Sequence, residues 1–342
     1  MGAARRSSGA TMHDVAQLAG VSVKTVSNVI NGYPHIRPAT KERVEDAIGV
    51  LGYRVNITAR SLRRGRTGMI GLALPELGLP YFAELAETII RVAEETGTLV
   101  LIEQTNASRD REIEALGSRV RHLTDGLIFS PLALGQEDVG LFDVDFPMVL
   151  LGERVFGGPT DHVTMDNVAA ARAATEHLLA RGRRRIAVIG AHPGERVGTA
   201  ALRVQGYREA MAAAGLPVDE RLVAEAGAWH RSTGDAAMTR LLDDGVEIDA
   251  VFGLNDAVAL GAMHALRLHG RSIPDDVAVI GFDDIEEAAY SAPTLSSVAP
   301  GAEQIARTAV EYLLQRIEGT APDQARQVVT DFSIVTRQST GG

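Results

Sequence analysis

Residues 11–31 read TMHDVAQLAGVSVKTVSNVIN, and this run decides how the front of the chain folds. Val15, Ala16, Ala19, Val21, Val26 and Val29 are apolar or small, and Gly20 interrupts them. The spacing predicts two short helices meeting at a tight turn. Gly20 supplies left-handed backbone there without steric cost, and Ala16 is small where the second helix passes close. Thr11 is placed to cap the first helix and Ser22 the second, which then begins near Val23. Val23, Lys24, Thr25, Ser27 and Asn28 fall at the start or on the outward side of that helix. Side chains so placed are the ones that reach base edges in a major groove. A third amphipathic helix is expected from about Pro38 to Leu51, with Val44, Ala47, Ile48 and Leu51 turned toward the first two. On this pattern alone, a plain small helical bundle is also allowed.

Charge divides the chain in the same place. Residues 1–68 hold eleven Lys and Arg against four Asp and Glu, or +7, while residues 69–342 hold 23 against 40, or −17, within a total of −10. A basic head can meet a polyanion while an acidic body does something else. With 342 residues and 45% hydrophobic content, there is material for a small head and a two-lobed body. Cysteine is absent, which excludes disulfides, thiolate metal sites and a cysteine nucleophile and fits a reducing compartment. The opening MGAARRSSGATMHDV has no apolar core behind its basic residues, so it does not read as a secretory signal. No apolar run approaches the ~18 residues that a membrane helix requires. The expectation is a soluble, cytoplasmic protein with no membrane partner.

From Met69 onward apolar strands alternate with amphipathic helices. Strands are expected at Ile70–Leu74, Thr98–Glu103, Gly126–Ser130, Met148–Gly152, Ile186–Gly190, Ala250–Leu254 and Val277–Phe282. Helices are expected at Phe82–Glu95, Val168–Arg181, Leu202–Ala214 and Asp256–Leu268. This order argues for parallel sheets covered on both faces, in two doubly wound lobes. Ligands of such folds sit at the carboxyl ends of strands, here in the cleft between lobes. Ser130, Asp166, the pair Asn255–Asp256 and the pair Asp283–Asp284 fall at strand ends, Arg203 opens a helix, and the lone Trp229 precedes another. An indole face with carboxylates, an amide and a guanidinium suits a hydroxyl-rich sugar ring. Equally, strand ends carry Asp or Asn as turns and caps, and Asn255 is placed to cap the helix from Asp256. No GxSxG, GxxxxGK[ST] or HExxH occurs, and His264 and His269, five apart, read as surface histidines. Neither catalysis, a metal nor a cofactor is expected.

Three longer runs add specificity: DVAQLAGVSVKTVSNVING at 14–32, TKERVEDAIGVLGYRVN at 40–56 and ITARSLRRGRTGMIGL at 57–72. Here the chain closely resembles the LacI/GalR family of transcriptional regulators, from Thr11 to about Thr336. The resemblance implies a small all-α helix-turn-helix head, residues 1–55, and a hinge, 56–68. The body, 69–342, is implied to be α/β with two doubly wound parallel-sheet lobes, periplasmic-binding-protein-like. The first lobe is expected at about 69–163 and 295–324, the second at about 164–294 and 325–337.

In that family the residues matching Val23, Lys24 and Asn28 read bases. The expected DNA-facing set also includes Thr11, Ser22, Thr25 and Ser27. Lys24 would donate to guanine, Val23 pack on a thymine methyl and Asn28 prefer adenine; the family more often has Arg or His at the last position. Residues 54–68 hold five arginines and no acid, which by composition is a basic linker. By resemblance Asn56, Ala59 and Arg60 belong to a hinge helix formed on DNA, with Leu62 as a minor-groove wedge; Val55 replaces a common proline.

Arg203, Trp229, Asn255 and Asp283 match effector-contacting positions of sugar-responsive members, with Tyr81, Phe82, Ser130 and Met165 nearby, while Asp256 and Asp284 are expected to cap or brace. After Arg337 there is no leucine heptad tail, so a homodimer is expected. The implied function is a repressor binding a palindromic double-stranded operator under control of a small effector, a sugar or sugar derivative. A sugar-binding protein of a transport system is the alternative, and the basic head speaks against it.

Overall fold

The computed structural model describes residues 10–30, 33–53, 66–117, 119–195 and 197–342. They fall into two compact units that part between Thr67 and Gly68. The first holds α1 (Met12–Ala19), α2 (Val23–Ile30) and α3 (Pro38–Leu51). Local chemistry fixes both ends of α1 and the start of α2. The Thr11 hydroxyl accepts the Asp14 amide at 3.3 Å and the Asp14 carboxylate accepts the Thr11 amide at 2.8 Å, a reciprocal cap. Gly20, at φ 65°, ψ 40°, ends α1 in left-handed backbone, so the Val21 amide reaches the Ala16 carbonyl at 3.0 Å. The Ser22 hydroxyl accepts the Thr25 amide at 3.1 Å and starts α2. Val15, Ala16, Ala19, Val26, Val29, Val44 and Ala47 are the buried core of this unit.

The second unit is built from two six-stranded sheets. In chain order it runs β1 (Met69–Leu74), α4 (Pro80–Glu95), β2 (Leu99–Gln104), α5 (Arg109–Gly117), α6 (Arg119–Leu123), β3 (Gly126–Phe129), β4 (Met148–Leu151) and β5 (Asp161–Met165). It continues with α7 (Asn167–Ala180), β6 (Ile186–Ala191), α8 (Thr199–Ala213), β7 (Val223–Glu225), α9 (Arg231–Asp243), β8 (Ala250–Gly253), α10 (Asp256–Leu268) and β9 (Ala278–Phe282). The rest is α11 (Glu286–Tyr290), β10 (Ser296–Ala299), α12 (Ala302–Glu318), β11 (Gln327–Thr330) and β12 (Ser333–Val335).

The first sheet has the order β11-β5-β4-β3-β1-β2, every neighbour parallel. The second has the order β12-β10-β9-β8-β6-β7, parallel except where β12 runs against β10. Strand order reverses beside β1 in one sheet and beside β6 in the other, the crevice positions of doubly wound folds. Each sheet is covered on both faces by apolar layers. In the first, Ile305, Ala306, Ala309, Val310 and Leu313 of α12 close over Leu85, Ile89 and Val92 of α4. Burying a large aliphatic side chain in such a layer contributes ~1.5–3 kcal/mol.

The chain passes between lobes three times, from β5 to α7, from β10 to α12 and from β11 to β12. The expected lobe limits are corrected accordingly. The first moves from inside β5 to its end. Residues 296–299 extend the second sheet beside β9 instead of returning to the first lobe, and residues 327–330 close the first sheet beside β5. The reason lies in polar side chains with distant partners. Ser297 donates to buried Asp256 at 2.7 Å. Asp161, at the start of β5, accepts Arg316 at 2.8 Å and Arg326 at 2.6 Å, tying α12 and the approach to β11 to this strand. Burial alone would raise the Asp161 carboxyl, but these hydrogen bonds outweigh it and hold the group at about 2.

Helices α9 and α10 lie close because small residues face one another. A Cβ on Gly261 would stand 2.0 Å from the Arg231 carbonyl oxygen, a backbone atom that cannot swing away. Gly261→Ala is therefore expected to destabilise the body by about 1–3 kcal/mol, read as a lowered urea midpoint. An unchanged midpoint would show that the helices separate freely.

Candidate functional site

The carboxyl ends of the two sheets face each other across a cavity of about 470 Å³. All eight residues singled out for the cleft line it. Tyr81 and Phe82 stand in the first turn of α4, Ser130 follows β3, and Met165 ends β5. From the second lobe come Arg203, Trp229 just before α9, Asn255 at the cap of α10 and Asp283 after β9. Arg203 lies one turn inside α8, which starts at Thr199, and does not open the helix as the sequence predicted. Asp166, Asp256 and Asp284 stay out of the lining. Asp166 caps α7 by accepting the Ala169 amide at 2.9 Å. Asp256 is fully buried, accepting the Ser297 hydroxyl and the Ile285 amide at 3.0 Å. Asp284 pairs with Arg337 at 2.7 Å.

Arg203 organises the floor. Its Nε donates to Asn167 Oδ1 at 2.7 Å and Nη1 to the Leu254 carbonyl, while its guanidinium carbon sits 3.3 Å from the centre of the Phe282 ring. Nη1 lies 3.7 Å from Asp283 Oδ1, and both side chains are under 10% exposed (7% and 8%). Burial pushes Asp283 up to about 7; Arg203 pulls against that, while Glu153 and Glu84 add to it. Asp283 also holds left-handed backbone, φ 108°, unusual for a residue with a side chain. Asn255 does cap its helix, accepting the Val258 amide at 2.8 Å, and its amide nitrogen donates to the Trp229 carbonyl at 3.2 Å. The Trp229 indole is held by a bond to the Gly190 carbonyl at 2.8 Å and lies 5.6 Å from the His192 ring. A half-buried indole face thus borders a carboxylate, an amide and a guanidinium.

Sequence reasoning missed the charged rim of the same cavity: Glu76, Glu153, Arg154, His192 and Glu195. Several of these link the lobes. Thr199 donates to Glu153 at 2.8 Å, and Arg154 reaches Glu195 at 3.2 Å and the Val197 carbonyl at 2.9 Å. His230 approaches Glu76 at 3.5 Å, and the Glu286 amide donates to Glu84 at 2.9 Å. Hydrogen bonding to Glu195 raises the His192 imidazole above its usual range, against burial. Glu153 and His192 each follow a strand, the same signal that picked out Ser130 and Asp283.

In the head, Thr11, Ser22 and Lys24 are exposed, and Val23, Thr25, Ser27 and Asn28 are half-buried. Val23 also packs on the helical core, and the Thr25 and Ser22 hydroxyls share a bond of 2.9 Å. Asn56, Ala59, Arg60 and Leu62 lie outside the described residues. Among the described residues, no helix is long and apolar enough to cross a membrane, and no cluster of three or more His, Asp and Glu could hold a metal.

Comparison with known proteins gives the same division. Residues 11–56 match the model of bacterial regulatory proteins, lacI family, and residues 175–340 match a periplasmic binding protein-like domain. The HTH-type transcriptional regulator CelR of Thermobifida fusca is 36% identical over 339 residues, 96% of this chain and 98% of the relative. A solved structure from Sanguibacter keddieii, described as a transcriptional regulator of LacI family, shares 52% identity at a TM-score of 0.75, covering 81% of this chain and 100% of that one. The transcriptional regulator CelR–cellobiose complex shares 33% identity at a TM-score of 0.70, covering 96% and 99%. With a three-helix reader ahead of two facing α/β lobes, and relatives that match it nearly end to end, this chain belongs to the LacI family of bacterial transcriptional regulators.

Proposed function

We propose that the protein is a cytoplasmic repressor whose two copies bind a palindromic operator and whose DNA affinity is set by a saccharide in the interlobe cleft. The observation that carries the effector reading is the cavity itself. An indole face, a buried Arg203–Asp283 pair and the Asn255 amide converge from one lobe, with Tyr81, Phe82, Ser130 and Met165 opposite. The ring C–H face of a sugar stacks on indole, and its hydroxyls both donate and accept. The cellobiose complex of a relative with the same fold supports the same ligand class. An effector acts only through its unequal affinity for the DNA-competent and incompetent lobe arrangements.

The reading element is α2, with Lys24 the exposed cation at its start. Thr11, Ser22, Val23, Thr25, Ser27 and Asn28 frame it, and Asn56, Ala59, Arg60 and Leu62 complete the contact through the hinge. Pairing of two copies is supported by β2, an edge strand whose Leu99 and Ile102 are 52% and 39% exposed. Such an apolar edge invites cover.

Two linked measurements test the proposal. Trp229 emission is titrated with a panel of neutral mono- and disaccharides, and release of the upstream palindromic duplex is followed at the same concentrations. One sugar should change both signals together. Lys24→Ala should weaken operator binding by about 1–3 kcal/mol and leave the emission titration as in the parent. Silence of both signals with every sugar would overturn the effector reading, and unchanged operator affinity in Lys24→Ala would remove Lys24 from base reading.

A further inference from the structure

We propose that Glu153 is a ligand-binding and specificity-determining residue: with Asp283 on the opposite lobe it accepts saccharide hydroxyls and confines the cleft to uncharged saccharides, shutting out phosphorylated and carboxylated ones. This rests on the saccharide reading above. Glu153 follows β4 in the first lobe and Asp283 follows β9 in the second, and both line the cavity. The two carboxylates feel each other's charge, and Arg203 feels both. Neither acid is used up by its surroundings. Glu153 accepts the Thr199 hydroxyl at 2.8 Å on one oxygen and the Thr164 hydroxyl at 3.5 Å on the other. An ionised carboxylate has about four lone-pair sites, so both oxygens retain capacity for ligand hydroxyls.

The charge of each cation is already matched. Each described cation in the lining already faces a carboxylate. Arg203 lies beside Asp283, with Nε and Nη1 also committed to Asn167 and Leu254. Arg154 bonds Glu195 and the Val197 carbonyl through Nη1 and the Leu134 carbonyl through Nε. His192 has Glu195 on one ring nitrogen at 3.2 Å and the Gly227 carbonyl on the other at 2.7 Å. Tight binding of a phosphate or carboxylate is favoured by an Arg or Lys fork that has no carboxylate beside it. Here a ligand anion would meet Glu153, Glu76 and Asp283 in a desolvated cleft, where like charges repel strongly. A hydroxyl ligand meets acceptors instead, and accepting from both lobes at once holds them together around it.

The test takes the full-length protein and the neutral disaccharide that binds most tightly, together with that disaccharide's 6-phosphate. Calorimetry should show the phosphate binding at least about tenfold more weakly than the neutral sugar. Glu153→Gln keeps an acceptor for Thr199 and removes the charge. It should lose about tenfold in affinity for the neutral sugar and narrow the neutral-to-phosphate ratio. A purely structural Glu153 would weaken both ligands alike and leave that ratio fixed. Equal or tighter binding of the phosphate by the parent, or an unchanged ratio in the variant, overturns the inference while the saccharide reading stands. Failure of every saccharide, neutral or charged, overturns the saccharide reading itself and this inference with it.

Discussion

Replacing Arg203 with methionine is expected to destabilise the body by about 3–5 kcal/mol, the cost typical of removing one partner from a buried charged network. Methionine fills the volume over Phe282, so the loss is electrostatic and not a cavity. The Leu254 carbonyl and Asn167 Oδ1 would each lose their donor, and Asp283 would lose the charge that restrains its rise. Urea unfolding followed by Trp229 emission reads the effect, since the indole lies 5.5 Å from the guanidinium. Saccharide titration of the folded variant at low urea should show no response. A midpoint equal to that of the parent would mean that the guanidinium is not the keystone of the floor.

Replacing Asp283 with asparagine should act in the opposite direction. Its folded value of about 7 lies above the ordinary 3.8, so folding takes up a proton between those limits. That contribution is complete below pH 3.8 and is lost as pH rises toward 7. A three-unit displacement corresponds to ~4 kcal/mol, a net figure that already includes the pull of Arg203. The variant should therefore unfold at higher urea than the parent at pH 8, with the gap closing toward pH 5, while losing saccharide affinity. Such a carboxylate is a stability cost retained for binding. If parent and variant show the same pH profile, Asp283 is not the group that titrates. Effector affinity of the parent should also rise between pH 6 and pH 8, because hydroxyl donors favour the ionised carboxylate.

The head was legible because its signals are local. Thr11, Gly20, Ser22 and Pro38 mark helix ends within a few residues of the apolar positions that they frame, and α3 runs over the expected span. Apart from the edge strand β2, the strands first read from the sequence were runs of Val, Ile, Leu and Ala buried on both faces. Those overlooked were β5, β7, β10, β11 and β12, where polar residues break the apolar run. Ser296 and Ser297 in β10 are buried because partners far along the chain, Thr340 and Asp256, satisfy them. No window of sequence contains those partners, and this is why the lobe limits near 295 and 325 fell on the wrong side. The cleft lining followed from strand ends plus family resemblance. Its acidic rim carried the strand-end signal too, but Glu153 and His192 stand in loops where a charged residue needs no explanation until the opposite lobe is in view.

The three chain crossings have a mechanical implication. Strand β1 begins at Met69, so the chain enters the first lobe at the amino edge of its sheet, whereas the cavity lies beyond the carboxyl edge. Occupancy of the cleft therefore reaches the rest of the body through the three crossings and the polar contacts between the lobes. Mutations that stiffen or loosen residues 166, 300–301 or 331–332 should consequently mute the signal without altering either end of the line.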